Sequence, residues 1–320
     1  MRRVLLLLAF ACSSALALTE SELTGLYRQA AAGSGEAKET IERAAAAGDT
    51  LAEHVMGLMH LLGRGAVQSH TQAHDWFLRA ARKGHAESQH NLAIIYQHTD
   101  GTLRDAAEAR RWYRAAGEQG WARAQANLAE MLLKGEGGKP DVDEARKWAE
   151  KAAAQGEPRG QLQLGLLTLG GRAGLKEDRA EGARLVGIAA NSGLREAQYE
   201  LALLYATGNG LAKNQTTALE WLRMAADQGY DEAEYRLGLF YEGGHYGLQG
   251  GAAEAAKWYR RAAMQGHPAA EFSLGMAFAQ GRGVQRDPQQ ALGWLRRAAN
   301  RGHGPAIEYI RRIEAKVNAE

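Results

Sequence analysis

The chain has 320 residues, a 45% apolar content weighted towards alanine, a mean hydropathy of −0.42 and a formal charge of +2. A chain of this length exceeds one ordinary hydrophobic core unless it is assembled from repeats. The near-balanced charge, without a basic tract or a one-signed tail, argues against nucleic acid or an anionic membrane as partner.

Residues 1–17 read as an export signal. Arg2 and Arg3 form a basic start, Val4 to Ala11 an apolar run too short to span a bilayer, and Ala15-Leu16-Ala17 a small-x-small cleavage site. Cleavage is expected after Ala17, which places the mature chain in the periplasm or outside the cell. Cys12, the single cysteine, lies inside this segment. A lipoprotein anchored through Cys12 is the alternative, but Ala9-Phe10-Ala11 makes a poor lipoprotein box. Cleavage after Ala17 leaves no cysteine, and so no disulfide, thiolate metal site or cysteine nucleophile. It also removes two arginines, so that basic side chains equal the 37 acidic ones. No later stretch is apolar enough to cross a membrane.

From residue 48 onward the chain repeats. Glycines recur at Gly48, Gly84, Gly120, Gly156, Gly193, Gly229, Gly266 and Gly302, at intervals of 36 or 37 residues. Eight residues before each closing glycine stands Trp76, Trp112, Trp148, Leu185, Trp221, Trp258 or Trp294. Each unit reads as two helices. The first carries a large residue followed by a small one, as in Met56-Gly57, Leu92-Ala93, Leu128-Ala129 and Leu274-Gly275. The small residue permits close helix approach and the large one fills the gap. A loop such as Gly208-Asn209-Gly210 or Gly281-Arg282-Gly283 then stops the helix.

The second helix begins at a cap seven residues before the Trp position: Ser69, Asp105, Asp141, Asp178, Asn214, Gly251 or Asp287. Gln or Glu follows three residues later in six units, and five of these have a side chain at the cap and so the spacing of a capping box. Alanine follows the Trp position by one turn in every unit, from Ala80 to Ala298. The tryptophan therefore reads as inter-helix core rather than a ligand platform.

These elements (L-G/A-x-x-Y, G-x-G and A-x-x-W-x-x-x-A) resemble the Sel1-like repeat, a relative of the tetratricopeptide repeat. The resemblance implies an all-α fold: a right-handed alpha-alpha solenoid of seven helical hairpins. The repeats span 48–83, 84–119, 120–155, 156–192, 193–228, 229–265 and 266–301. Residues 18–47 form capping helices, and 303–320 a closing helix with Arg311 where the repeat has a small residue. The fourth unit departs from the pattern, with Leu185 for Trp and with Gly160, Gly165, Gly182 and Gly187 in helical positions. Interior glycine costs a helix up to about 1 kcal/mol against alanine. This unit is expected to open first or to act as a bend.

No catalytic pattern stands out. There is no nucleophile elbow and no serine–lysine pair, and Gly138-Lys139-Pro140 lacks the spacing of a phosphate loop. Asn214-Gln215-Thr216 matches a glycosylation sequon, but Asn214 fills a helix-cap slot. Seven of the ten histidines fall between residues 54 and 98, and His70 and His74 have a metal-compatible spacing without supporting ligands. Neither metal nor cofactor is expected.

Alignment on the tetratricopeptide pattern puts the first helices on a concave face. One ladder of groove positions reads His54, His90, Ala126, Leu162, Tyr199, Tyr235 and Phe272, and another, three residues earlier, reads Leu51, Glu87, Arg123, Arg159, Glu196, Glu232 and Ala269. From these, His54, His90, Arg123, Arg159, Glu196, Tyr199, Glu232, Tyr235 and Phe272 are the candidate partner-binding residues, aromatics and arginines being preferred interface anchors. The resemblance implies a non-enzymatic envelope scaffold or adaptor that binds a protein or peptide. Binding of peptidoglycan or polysaccharide is the alternative. A beta-lactam-directed enzyme fits poorly, because the cysteine pairs of the family members linked to that chemistry are missing.

Overall fold

The computed structural model describes residues 18–99, 101–245, 248 and 251–317, so the expected export signal and Cys12 lie outside the described residues. The described chain is helical throughout, with seventeen α-helices and one short 3-10 turn at Gly101–Leu103. The described residues divide into two compact units, one ending at Asp141 and the other beginning at Val142. The first contains α1 (Glu20–Ala31), α2 (Gly35–Ala46), α3 (Thr50–Leu62), α4 (His70–Arg82), α5 (Ala86–His98), α6 (Ala106–Glu118) and α7 (Ala122–Lys134). The second contains α8 (Val142–Ala154), α9 (Pro158–Leu169), α10 (Arg179–Asn191), α11 (Arg195–Thr207), α12 (Gln215–Asp227), α13 (Asp231–Glu242), α14 (Gly251–Met264), α15 (Pro268–Gln280), α16 (Pro288–Asn300) and α17 (Gly304–Val317).

Helices of 12 to 14 residues are marginal alone, so each is held by packing on its sequence neighbours. The tryptophans belong to the inter-helix core as expected, with Trp112 and Trp148 buried and Trp76, Trp221, Trp258 and Trp294 packed against buried clusters, but a neighbouring residue is buried more deeply. Fully buried is the residue after the Trp position: Phe77, Tyr113, Ala149, Val186, Leu222, Tyr259 and Leu295 are at most 2% exposed. This side chain lies directly on the small residue of the first helix. A Cβ on Gly57 would sit 2.5 Å from the Phe77 ring, and one on Gly238 would sit 2.4 Å from Tyr259. The tryptophans flank this contact, and several carry a cation over the ring, with Arg79, Lys151, Arg261 and Arg297 at 4.2 to 4.6 Å from the centroids of Trp76, Trp148, Trp258 and Trp294.

The forward half of the expected caps is present. Ser69, Asp105, Asp178, Asn214 and Asp287 accept from the backbone N–H three residues on. The acids at the third position turn elsewhere: Glu108 and Glu144 each accept the indole N–H of the tryptophan four residues later at 3.1 Å, and Glu181 pairs with Arg184. A reciprocal box forms instead at Thr19 and Glu22, at the start of α1. Gly251 does not precede its helix but begins it.

In the G-x-G loops the two glycines differ in role. Gly281 ends α15 in the left-handed region at φ 70°. Gly283 backs onto the start of α14 in the preceding hairpin, where a Cβ would fall 2.0 Å from the Ala252 carbonyl oxygen. The glycines of the fourth hairpin are likewise packing residues. A Cβ on Gly165 would meet the Gly182 carbonyl oxygen at 2.9 Å, and one on Gly182 the Gly165 oxygen at 2.7 Å. Thus α9 and α10 approach backbone to backbone.

A polar column tells which hairpins use charge. Five residues after the opening glycine stands a buried Gln or Glu on each of α3, α5, α7, α11, α13 and α15. Gln89, Gln125 and Gln198 donate directly to Ala81, Gly117 and Ala190 carbonyls in the preceding helix at 2.8 to 3.4 Å. Glu53, Glu234 and Glu271 lack that donor. In their hairpins Arg79, Arg261 and Arg297 donate to the carboxylate at 2.8 to 3.0 Å and also to the equivalent carbonyls of Ala45, Ala226 and Ala263. Both solutions satisfy the same backbone group.

Candidate partner-binding face

The ladder residues sit against a second aromatic column that single-ladder reasoning missed. The residue after each repeat glycine caps or precedes the next first helix, and in several units it is a ring: His85, Trp121, Tyr230, His267 and His303. Each ladder ring meets the cap ring of the following unit. Centroid separations are 4.6 Å for His54–His85, 6.3 Å for His90–Trp121, 5.4 Å for Tyr199–Tyr230, 4.6 Å for Tyr235–His267 and 5.0 Å for Phe272–His303. Alignment of the position one residue past each glycine reveals this column in the sequence. Its spatial partner is not visible there.

This pairing changes how the ladder residues present themselves. His54, His90 and Tyr199 are only 6 to 8% exposed and serve as floor rather than open surface. Tyr235 and Phe272 are partly buried. Arg123 and Arg159 stand exposed on α7 and α9. In the second unit the charged neighbours are largely engaged. Glu232 lies 3.3 Å from His267 Nε2, Glu196 lies 3.6 Å from Arg195, and Arg236 donates to the Tyr199 hydroxyl at 3.2 Å. Burial, with Glu196 and Glu232 nearby, pushes the Tyr230 phenol up to about 12, so it stays a neutral donor.

The first unit holds a cavity of about 500 Å³ between α1, α3, α5 and the start of α7. Leu51, Val55 and Leu58 of α3 and Leu23 of α1 give it an apolar wall. Tyr27, His54, His85, Trp121, Glu20 and Glu87 add its rings and charges. Two of these groups are incomplete: Tyr27 Oη and Trp121 Nε1 are buried from solvent and make no hydrogen bond. His54 Nδ1 and His85 Nδ1 both contact the Ser88 hydroxyl, at 2.9 and 2.8 Å, and His85 Nδ1 also accepts the Ser88 backbone N–H. Burial, helped by His85, holds His54 down to about 3, so the ring is neutral near pH 7. Burial also lowers His85, against the pull of Glu20, and raises Glu87, which Arg123 lowers and Glu20 raises further.

The remaining sequence candidates are absorbed by structure. His74 is held between Asp75 at 3.0 Å and the Tyr96 hydroxyl at 2.9 Å. Asn214 spends its side chain on the Thr217 N–H. Among the described residues no group of three or more metal-ligating side chains converges, and no helix is long and apolar enough to cross a membrane.

The Sel1 repeat model matches seven consecutive segments: 50–85, 86–121, 122–157, 158–194, 195–230, 231–267 and 268–303. The chain is a Sel1-repeat protein. Each matched segment starts two residues after an opening glycine, so the family frame begins with the first helix and ends on the cap position of the next. Among solved Sel1-type structures, the chain is similar to c5321, a protective antigen of uropathogenic Escherichia coli, at 30% identity and a TM-score of 0.57 over 92% of this chain and 67% of that one. It is similar to a Sel1 repeat protein of Oxalobacter formigenes at 28% identity and a TM-score of 0.64, over 91% and 85% of the two chains. It also resembles the immunity protein Pa5087 of Pseudomonas aeruginosa at 26% identity and a TM-score of 0.51, over 69% and 83%. Comparison with curated proteins returned no match.

Proposed function

We propose that this Sel1-repeat protein is an exported, non-enzymatic adaptor that binds a peptide segment of a partner protein on its first-helix face. The observation that carries the reading is the cavity of the first unit, where the Tyr27 hydroxyl and Trp121 indole N–H are buried and unpartnered beside an apolar wall. Buried donors without acceptors are rare, and a peptide carbonyl that displaces the side chains covering them supplies what they lack. The paired aromatics Tyr199–Tyr230, Tyr235–His267 and Phe272–His303 offer further anchoring edges in the second unit.

Site-specific photocrosslinking tests the partner reading. A crosslinker at Leu58, on the cavity wall, is expected to trap one discrete protein in the native cell, and a Trp121→Phe, Tyr27→Phe variant is expected to lose it. Equal trapping from an exposed residue of the second helices, such as Arg82, refutes a specific face. Fractionation with N-terminal sequencing tests export: a mature chain beginning at Leu18 supports it, and an uncleaved cytoplasmic chain refutes it.

A further inference from the structure

The cavity of the first unit has a chemistry narrower than that of a general peptide groove. Its lining carries two carboxylates, Glu20 and Glu87, and no permanent cation. The two histidines do not compensate, because burial keeps both rings from protonating readily. Among the described residues Glu20 makes no ion pair, and Glu87 has only the His54 ring at 3.6 Å. Glu20 disfavours ionisation of Glu87. Arg123, exposed on α7, is the one base acting on Glu87.

A cation between the two carboxylates removes that repulsion. Beside them stand the Tyr27 and Trp121 rings, which attract a cation through their faces. The cavity is far larger than an ammonium group, and Leu51, Val55 and Leu58 match the methylene stem of a long basic side chain. Trp121 Nε1 can only donate, so the ligand also brings an acceptor. A peptide containing lysine or arginine has all three parts: cation, stem and carbonyl. A small amine lacks the acceptor, and a metal ion lacks the stem.

Building on the peptide-binding reading above, we infer that this cavity is a receptor for one lysine or arginine side chain of an extended peptide. The side chain enters between Glu20 and Glu87, and peptide carbonyls accept from Trp121 and Tyr27 once the side chains that cover these two donors shift aside.

Selection of a random peptide library displayed on phage against the full chain tests this. Selected peptides are expected to share one basic position. Replacing that residue with norleucine, which keeps the stem and removes the charge, is expected to weaken binding at least about tenfold. The E20Q, E87Q double variant is expected to bind the basic and norleucine peptides equally, and E20K, E87K to select an acidic residue instead. Both glutamates are partly or fully exposed, so unchanged helical content and melting are the fold control. Selected peptides without a basic position, or equal binding of the norleucine form to the unaltered chain, overturn the cation receptor while peptide binding stands. A library that yields no binding peptide overturns both.

Discussion

Arg261→Ala offers a direct test of the polar column. Glu234 is 1% exposed, and it receives Arg261 Nε at 2.8 Å and Gln265 Nε2 at 2.7 Å. The same guanidinium donates to the Ala226 carbonyl at 2.8 Å and lies 4.4 Å from the Trp258 centroid. Removing it strands a buried carboxylate and a backbone carbonyl. A fully buried pair broken in this way costs about 3–5 kcal/mol, and because the Arg261 side chain is 44% exposed the expected cost is nearer 2–3 kcal/mol.

The double variant Glu234→Gln, Arg261→Ala rebuilds the arrangement found in the fifth hairpin. There Gln228 donates to Gln198 at 2.7 Å, and Gln198 donates onward to Ala190. Its expected cost is about 1 kcal/mol, the lost stacking on Trp258. Hydrogen exchange of the α13 and α14 amides is the suitable assay, since repeat arrays need not unfold in one step. Equal loss of protection in single and double variants refutes the reasoning. The pH dependence has a definite sign. Burial already raises the Glu234 pKa, and loss of Arg261 raises it further. A protonated Glu234 is neutral, so the Arg261→Ala penalty is full above the raised folded-state value and fades as pH falls through it.

Phe77→Ala is expected to cost about 3–5 kcal/mol and Trp76→Ala markedly less, because Phe77 is fully buried on Gly57 and Trp76 is not; chemical denaturation of the two variants decides, and the reverse order contradicts the assigned core. Gly283→Ala drives a Cβ into the Ala252 carbonyl, whereas Gly302→Ala meets nothing within 4 Å, so the second is expected to cost only the left-handed strain of about 1–2 kcal/mol and the first clearly more by thermal melting. His54 is held near 3 against an unperturbed 6.5, so the unfolded chain binds the extra proton. Stability is therefore expected to be full above about pH 6.5 and to fall by a few kcal/mol towards pH 3; His54→Gln should flatten this slope, and an unchanged slope excludes His54 as its source. In the fourth hairpin, Gly187→Ala has free space and should stabilise by about 0.5–1 kcal/mol, while Gly165→Ala should destabilise; exchange in α9 and α10 as slow as in their neighbours would exclude the early opening expected from the glycine content.

The repeat period, the two helices per unit and the closing glycines were legible because each is a local signal: spacing, cap chemistry and a left-handed turn. The same is true of the all-α solenoid and of the first-helix ladders. Contacts between consecutive units were decided only by the tertiary structure. Sequence singles out the tryptophan by its fixed offset, and it does pack into the core, but the deepest burial falls on Phe77, Tyr113 or Tyr259 beside it, because a helix turns that position onto the facing small residue. An acid three residues after a cap predicts a capping box, yet Glu108 and Glu144 find a stronger claim in an indole N–H one turn on. Spacing nominated His54 and Glu87 separately. Only packing across units brings them to Tyr27, Glu20 and Trp121 around one cavity, since those residues come from three different helices and the edge of a fourth.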